Sequence, residues 1–197
     1  MTDAANADGS RPARGRRTGE GRLPGDPTPR QVVERAIRVD HAGEYGAKRI
    51  YQGQLAVLRG TRWEGMIRHM QAQEQVHLDT FARLIPERRV RPTALLPVWH
   101  VAGFALGAAT ALLGHRGAMA CTVAVEEAID EHYQAQEREL GEDEAPLRAH
   151  IAQFRAEELE HRDIGLENEA ELAPAYRALS AAIKAGCKLA IKVSERV

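Results

Sequence analysis

The chain restates its first half in its second, and that repeat constrains the fold more than any single motif. Glu44 is followed by Tyr51, Gln52 and Gln54; Glu126 is followed, at the same spacings, by Tyr133, Gln134 and Gln136. Farther on, Glu74, His77 and Asp79 are matched by Glu158, His161 and Asp163. A lone Glu-x-x-His is common in a chain with this many acids. Two copies, each a similar distance behind a Glu-x6-Tyr-Gln-x-Gln, are not. Glu and His three residues apart share one face of a helix, so each half reads as a helical hairpin. With the first turn centred at Gly60, Glu44 lies 16 residues before it and Glu74 14 after it. With the second turn at Asp143, Glu126 lies 17 before and Glu158 15 after. At about 1.5 Å per residue, the two glutamates of each hairpin come level to within roughly 3 Å. Packing the hairpins together therefore brings four carboxylates and two imidazoles to one height.

The rest of the sequence agrees with helices. Ala, Leu, Glu, Arg and Gln dominate, and these residues favour helix. No segment sustains the alternation of a half-buried strand. Thr28-Pro29 is a helix start, a capping hydroxyl followed by proline at the first helical position. The pattern predicts a hairpin over about 29–84, broken at Gly60-Thr61, and a second over about 118–170, turning at 141–146. A last helix covers about 175–195. Residues 1–28, rich in Gly, Arg, Asp and Pro, read as a disordered polar tail. Its acids argue against a transit peptide, and it has no apolar run like that of a secretory signal. Residues 29–197 then form one domain: an all-α, ferritin-like four-helix bundle with a long apolar crossover and an extra C-terminal helix.

Composition excludes some functions. A formal net charge of −1 gives no basic field for nucleic acid, and 5% aromatics give no platform for stacked bases. Cys121 and Cys187 have no CxxC partner, so thiolate ligation is excluded and both read as reduced, buried thiols.

The repeat singles out Glu44, Glu74, His77, Glu126, Glu158 and His161 as ligands of two metal ions. One Glu from each of two helices and a Glu-x-x-His from each of the other two form the di-metal carboxylate constellation of a ferritin-like bundle. Four carboxylates balance two divalent ions. Oxygen-rich ligands with one imidazole per ion suit iron or manganese better than copper. The register selects Glu126 and Glu158 over their neighbours Glu127 and Glu157. Tyr51 and Tyr133, two turns beyond the single glutamates, and Asp79 and Asp163, beside the histidines, are candidates for supporting contacts around the ligands. No catalytic residue beyond this set is indicated.

Residues 94–114 carry no formal charge. Their length reaches that of a membrane span, but Pro97, His100 and three glycines favour a segment that lies on or dips into a membrane, or lines a path for an apolar substrate, over a buried helix or a true span. Lys184, Lys188 and Lys192 form a stripe on the last helix that suits either an anionic lipid surface or solvent.

Several stretches together resemble the demethoxyubiquinone hydroxylase family of ubiquinone biosynthesis. They are Arg38-Val-Asp-His-Ala-Gly-Glu44, Arg91-Pro-Thr, Gly103-Phe-Ala-Leu-Gly-Ala, Gly117-Ala-Met-Ala-Cys-Thr-Val-Ala-Val-Glu126-Glu and Glu157-Glu-Leu-Glu-His161 with Asp163-Ile-Gly-Leu. The resemblance covers about residues 30–197. It implies a monooxygenase with two iron ions (Fe2+/Fe3+) that uses O2 to hydroxylate the ring of a polyprenylated methoxybenzoquinol. It implies the same six ligands, an external two-electron donor such as NADH, and peripheral attachment to the membrane where ubiquinone is made. No glycine-rich loop follows a strand here, so no dinucleotide fold is present to bind NADH. The tail differs from that of mitochondrial members and points to the cytoplasmic face of a bacterial inner membrane. A homo-oligomer or a complex of ubiquinone-making enzymes stays open. So does a ferritin-like ferroxidase or a rubrerythrin-like peroxide scavenger, although the apolar insert counts against both.

Overall fold

The computed structural model describes residues 15–197. Six α-helices carry the chain: α1 (Pro29–Leu58), α2 (Glu64–Glu87), α3 (Leu96–Leu112), α4 (His115–Glu139), α5 (Ala145–Glu167) and α6 (Tyr176–Ser194). No strand occurs among the described residues. Thr28 caps α1 with a reciprocal pair of bonds to Gln31, and Pro29 opens the helix. These bonds satisfy amides that a helix start would otherwise leave free.

α1 packs against α2 and α4 against α5, giving two hairpins; α3 runs along α1 and α6 along α4. The repeat thus extends to a third helix in each half. The apolar crossover and the C-terminal helix are counterparts. α3 lies so close to α1 that a Cβ on Gly107 would sit 1.9 Å from the Ile50 carbonyl oxygen, and one on Gly53 2.2 Å from that of Phe104. The glycines that spoil α3 as a membrane span are what seat it on the bundle. No described helix is long and apolar enough to cross a membrane.

Two apolar layers build the core. One gathers Leu55, Leu58, Ile67, Met70 and Met119; the other gathers Ile37, Phe81, Leu147, Ile151 and Phe154. Each fully buried large side chain contributes about 1.5–3 kcal/mol by leaving water. Between the layers, all four bundle helices turn polar at one level. On α1 the buried stripe reads Ile37, Asp40, Glu44, Ala47, Tyr51, Gln54, Leu58. A helix that interrupts its own core face with acids does so where something other than packing is required.

Residues 1–14 of the expected tail lie outside the described residues. Residues 15–28 correct the expectation of disorder. The Thr18 amide and hydroxyl both donate to Asp143 Oδ1 (2.7 and 3.0 Å), the Gly141 amide donates to Thr18 Oγ1 (2.8 Å), and the Glu142 amide donates to the Arg16 carbonyl (2.7 Å). The turn between α4 and α5 presents unpaired polar groups, and the chain before α1 satisfies them. Composition hides this because the partners lie more than 120 residues away in sequence.

Candidate metal centre

The six residues selected by the repeat meet between the apolar layers. All are at most 2% exposed. His77 Nδ1 lies 3.1 Å from Glu158 Oε1, 3.5 Å from Glu44 Oε2 and 4.0 Å from Glu74 Oε2. His161 Nδ1 lies 3.1 Å from Glu158 Oε2 and 3.3 Å from Glu74 Oε1. Two four-residue groups result, Glu44–Glu74–His77–Glu158 and Glu74–Glu126–Glu158–His161, each with its ligand atoms within 4.8 Å of one another. Glu74 and Glu158 belong to both and stand between them.

The donor set fits a pair of cations. Glu44 Oε2, Glu126 Oε2 and both oxygens of Glu74 are buried without a hydrogen-bond donor. A buried carboxylate without a partner is costly. The electrostatics carry the same message. Burial and the nearby carboxylates push Glu74 and Glu126 well above the usual carboxylate range. Burial alone would lower His77, but Glu158 and Glu44 beside it carry it up to about 12. Burial would raise Glu158, yet hydrogen bonds from His161 and His77 hold it at about 2. Protons therefore balance this charge unless cations do.

Contacts around the cluster cross between the halves. Tyr51 on α1 donates to Glu126 Oε1 on α4 (2.9 Å), and Tyr133 on α4 donates to Glu44 Oε1 on α1. Burial pushes both phenols well above their usual range, so they remain neutral donors. The aspartates do not take the expected role. Asp79 is exposed and accepts from Gln75; Asp163 is exposed and accepts from Arg162. The histidines are instead backed by residues that sequence reasoning passed over. His77 Nε2 donates to Glu157 (2.6 Å), and His161 Nε2 donates to Gln73 (2.9 Å). A carboxylate only accepts, so Nε2 of His77 carries a proton, and Nδ1 is the ring nitrogen that faces the cluster. The signal was present: Gln73 and Glu157 occupy one register position, directly before the repeated glutamates.

A cavity of about 550 Å³ lies between α1, α3 and α6. Its walls include Ala42, Gly46 and Ile50, which flank Glu44 on α1, and Ile129, one turn beyond Glu126. Trp99 on α3 donates to Ser194 on α6 (3.1 Å) across one side. Cys187 lines it and is only half-buried, whereas Cys121 is buried; both thiols are free. The α6 lysine stripe is largely spoken for, since Lys184 pairs with Glu127 and Lys188 with Glu131.

Fold and cluster define a class, the ferritin-like helical bundles that bury carboxylates and imidazoles where a pair of metal ions could be held. The chain belongs to the family described as ubiquinone biosynthesis protein COQ7, whose profile matches residues 31–194. It is 65% identical over 186 residues to the 3-demethoxyubiquinol 3-hydroxylase of Rhodospirillum rubrum, covering 94% of this chain and 88% of that one. It is 58% identical over 172 residues to the human mitochondrial NADPH-dependent 3-demethoxyubiquinone 3-hydroxylase, covering 85% and 79%. The 5-demethoxyubiquinone hydroxylase of Saccharomyces cerevisiae is 40% identical over 182 residues, covering 84% and 78%.

Proposed function

We propose that this protein is an O2-dependent monooxygenase that hydroxylates the ring of a polyprenylated demethoxyubiquinol, with two iron ions held by Glu44, Glu74, His77, Glu126, Glu158 and His161. The observation that carries the reading is the six-residue cluster, buried level with an apolar cavity, in a chain closely similar to named hydroxylases of this kind. When bound, the iron pair supplies the redox chemistry that activates O2. The residues supply the remainder. Glu44, Glu74, His77 and Glu158 would hold one ion, and Glu74, Glu126, Glu158 and His161 the other. Glu157 and Gln73 fix the ring orientation of the histidines, and Tyr133 and Tyr51 that of the single glutamates.

The cavity is of the size that takes a small organic ligand, and its apolar walls exclude water from the reacting ring. A polyprenyl tail would leave between α3 and α6. Their outer faces expose Val98, Val101, Leu112, Leu113 and Leu189, which suits peripheral attachment to a membrane holding the substrate, the cytoplasmic face of a bacterial inner membrane. Two electrons come from an external donor, a reduced nicotinamide such as NADH or the NADPH named for the mitochondrial relatives.

Protein loaded with Fe(II) is expected to convert a demethoxyquinol, O2 and reductant to the hydroxylated product, read by mass spectrometry. Glu158→Ala should lose iron and product together. Rapid iron oxidation with no ring product would replace this reading with a ferroxidase.

A further inference from the structure

The repeat is nearly symmetric in backbone but not in chemistry, and the difference lies beside the cluster. A shift of 82 residues maps Glu44 and Tyr51 on α1 onto Glu126 and Tyr133 on α4. It also maps Gln54 onto Gln136, Asp40 onto Thr122, and Ile50 onto His132. Both glutamines reach across to the other helix. Gln54 donates to the Thr122 hydroxyl (3.3 Å) and the Ala118 carbonyl (3.1 Å). Gln136 donates to Asp40 Oδ1 (2.7 Å). One half is thus sealed with neutral groups and an isoleucine in the core. The other puts an acid and an imidazole at the equivalent places.

These two groups lie between the solvent and the centre. His132 and Gln136 line a cleft of about 60 Å³ bordered by Arg35, Glu139 and Glu195. The His132 side chain is 17% exposed, and its Nε2 lies 3.3 Å from Asp40 Oδ1. Asp40 is 3% exposed, and its second oxygen, Oδ2, has no hydrogen-bond donor. One turn farther along the same buried stripe is Glu44, which places the two carboxyls on one helix face. Tyr133, next to His132, donates to that glutamate. The titratable and charged groups around the pair are therefore Arg35 and Glu44 on α1, Tyr133 and Glu139 on α4, and Glu195 beyond α6.

We propose that His132 and Asp40 form a proton-entry pair that feeds the metal centre from this one end of the bundle. The inference rests on the hydroxylase reading. Ring hydroxylation by O2 puts one oxygen atom into a C–H bond and releases the other as water: R–H + O2 + 2e− + 2H+ gives R–OH + H2O. The two electrons come from the external reduced nicotinamide. The two protons must reach a centre that the apolar layers close to water. His132 takes each proton from the cleft and passes it to Asp40, whose free oxygen passes it on toward Glu44; only N–H and O–H bonds form and break. Burial raises the Asp40 carboxyl above its usual range despite its bonds to His132 and Gln136, which favours its protonated form.

The test uses iron-loaded, full-length protein with Asp40→Asn, His132→Ala and His132→Gln. The variants are expected to keep two irons per chain and an unchanged KM for the quinol. Turnover falls by roughly 100-fold in the Asn and Ala variants, the lower end for loss of a proton-transfer group. The solvent deuterium effect on kcat rises, and the pH profile loses its limb on the alkaline side. Added imidazoles restore His132→Ala, better the more acidic the imidazolium, but do not restore Asp40→Asn. Difference infrared spectra, which need no turnover, show a protonated-carboxyl band that Asp40→Asn lacks. Unchanged turnover, pH profile and isotope effect in Asp40→Asn overturn the pair, as does loss of activity in His132→Ala that imidazoles leave unaltered. Failure of the unsubstituted protein to hydroxylate the quinol would instead overturn the reading beneath it.

Discussion

At the residue scale, the two metal positions differ in what stands behind each histidine. Glu157, half-buried and held ionised by its bond to His77 against the effect of burial, backs one ring; the neutral amide of Gln73 backs the other. A hydrogen bond to an ionised acceptor is about twice as strong as a neutral one, so the Glu44/His77 position depends more on its support. Glu157→Ala should weaken retention of one iron of the two by roughly 10–100-fold, while Gln73→Ala weakens the other position less. Iron titration with Mössbauer resolution of the two ions reads both. Equal losses would show that the acceptor's charge is irrelevant. The six cluster residues were legible in sequence because a helical repeat fixes face and height together. Glu157 and Gln73 are not legible in the same way, because adjacent helix positions diverge by about 100° and point away from the cluster. What they reach is the histidine of the opposite hairpin, a contact that exists only once the hairpins are packed.

At the element scale, the starts and stops of the hairpins could be read from local chemistry, as the Thr28 cap, Pro29 and the Gly60 turn show. The seating of α3 could not. Its glycines look like helix breakers when counted along the chain, whereas their meaning lies in the α1 carbonyls they meet. Gly107→Ala forces a methyl against the Ile50 carbonyl oxygen, and backbone cannot yield as a flexible side chain does. Stability is expected to drop by about 1–3 kcal/mol, the usual cost of overpacking. Gly65→Ala, on α2 where a Cβ meets nothing within 4 Å, should be neutral or add at most about 1 kcal/mol through helix propensity. Urea unfolding of both variants measures the contrast. Similar effects at the two glycines would mean that α3 does not bear on α1 as closely as the backbone indicates. Since α3 also walls the apolar cavity, Gly107→Ala should raise KM for the quinol as well.

At the scale of the whole molecule, the cluster ties all four bundle helices to one charge balance, and that balance has a sign. With protons alone neutralising it, Glu74 and Glu126 hold theirs well above the usual range and His77 holds its proton to about 12. The folded protein then binds more protons at neutral pH than the unfolded chain, whose carboxylates and histidines titrate near about 4.3 and 6.5. Stability must fall as pH rises under that condition. The contribution of His77 is complete below its unfolded value and fades as pH climbs toward 12. Glu158, held at about 2, acts oppositely, but its contribution is already complete at neutral pH and is lost only on acidification. Divalent metal replaces the protons, so loading releases them and binds more tightly at higher pH. The Tm of chelator-stripped protein is accordingly expected to decline between pH 6 and 9, while that of protein loaded anaerobically with Fe(II) or Mn(II) stays nearly level. The gain on loading should widen steadily across that range, and pH-indicator dye should record proton release on metal addition. A gain that is constant with pH, or metal uptake without proton release, would mean that Glu74 and Glu126 are already ionised in the stripped protein. The bundle would then bury more negative charge than its two imidazoles offset, which its modest apolar layers could not sustain.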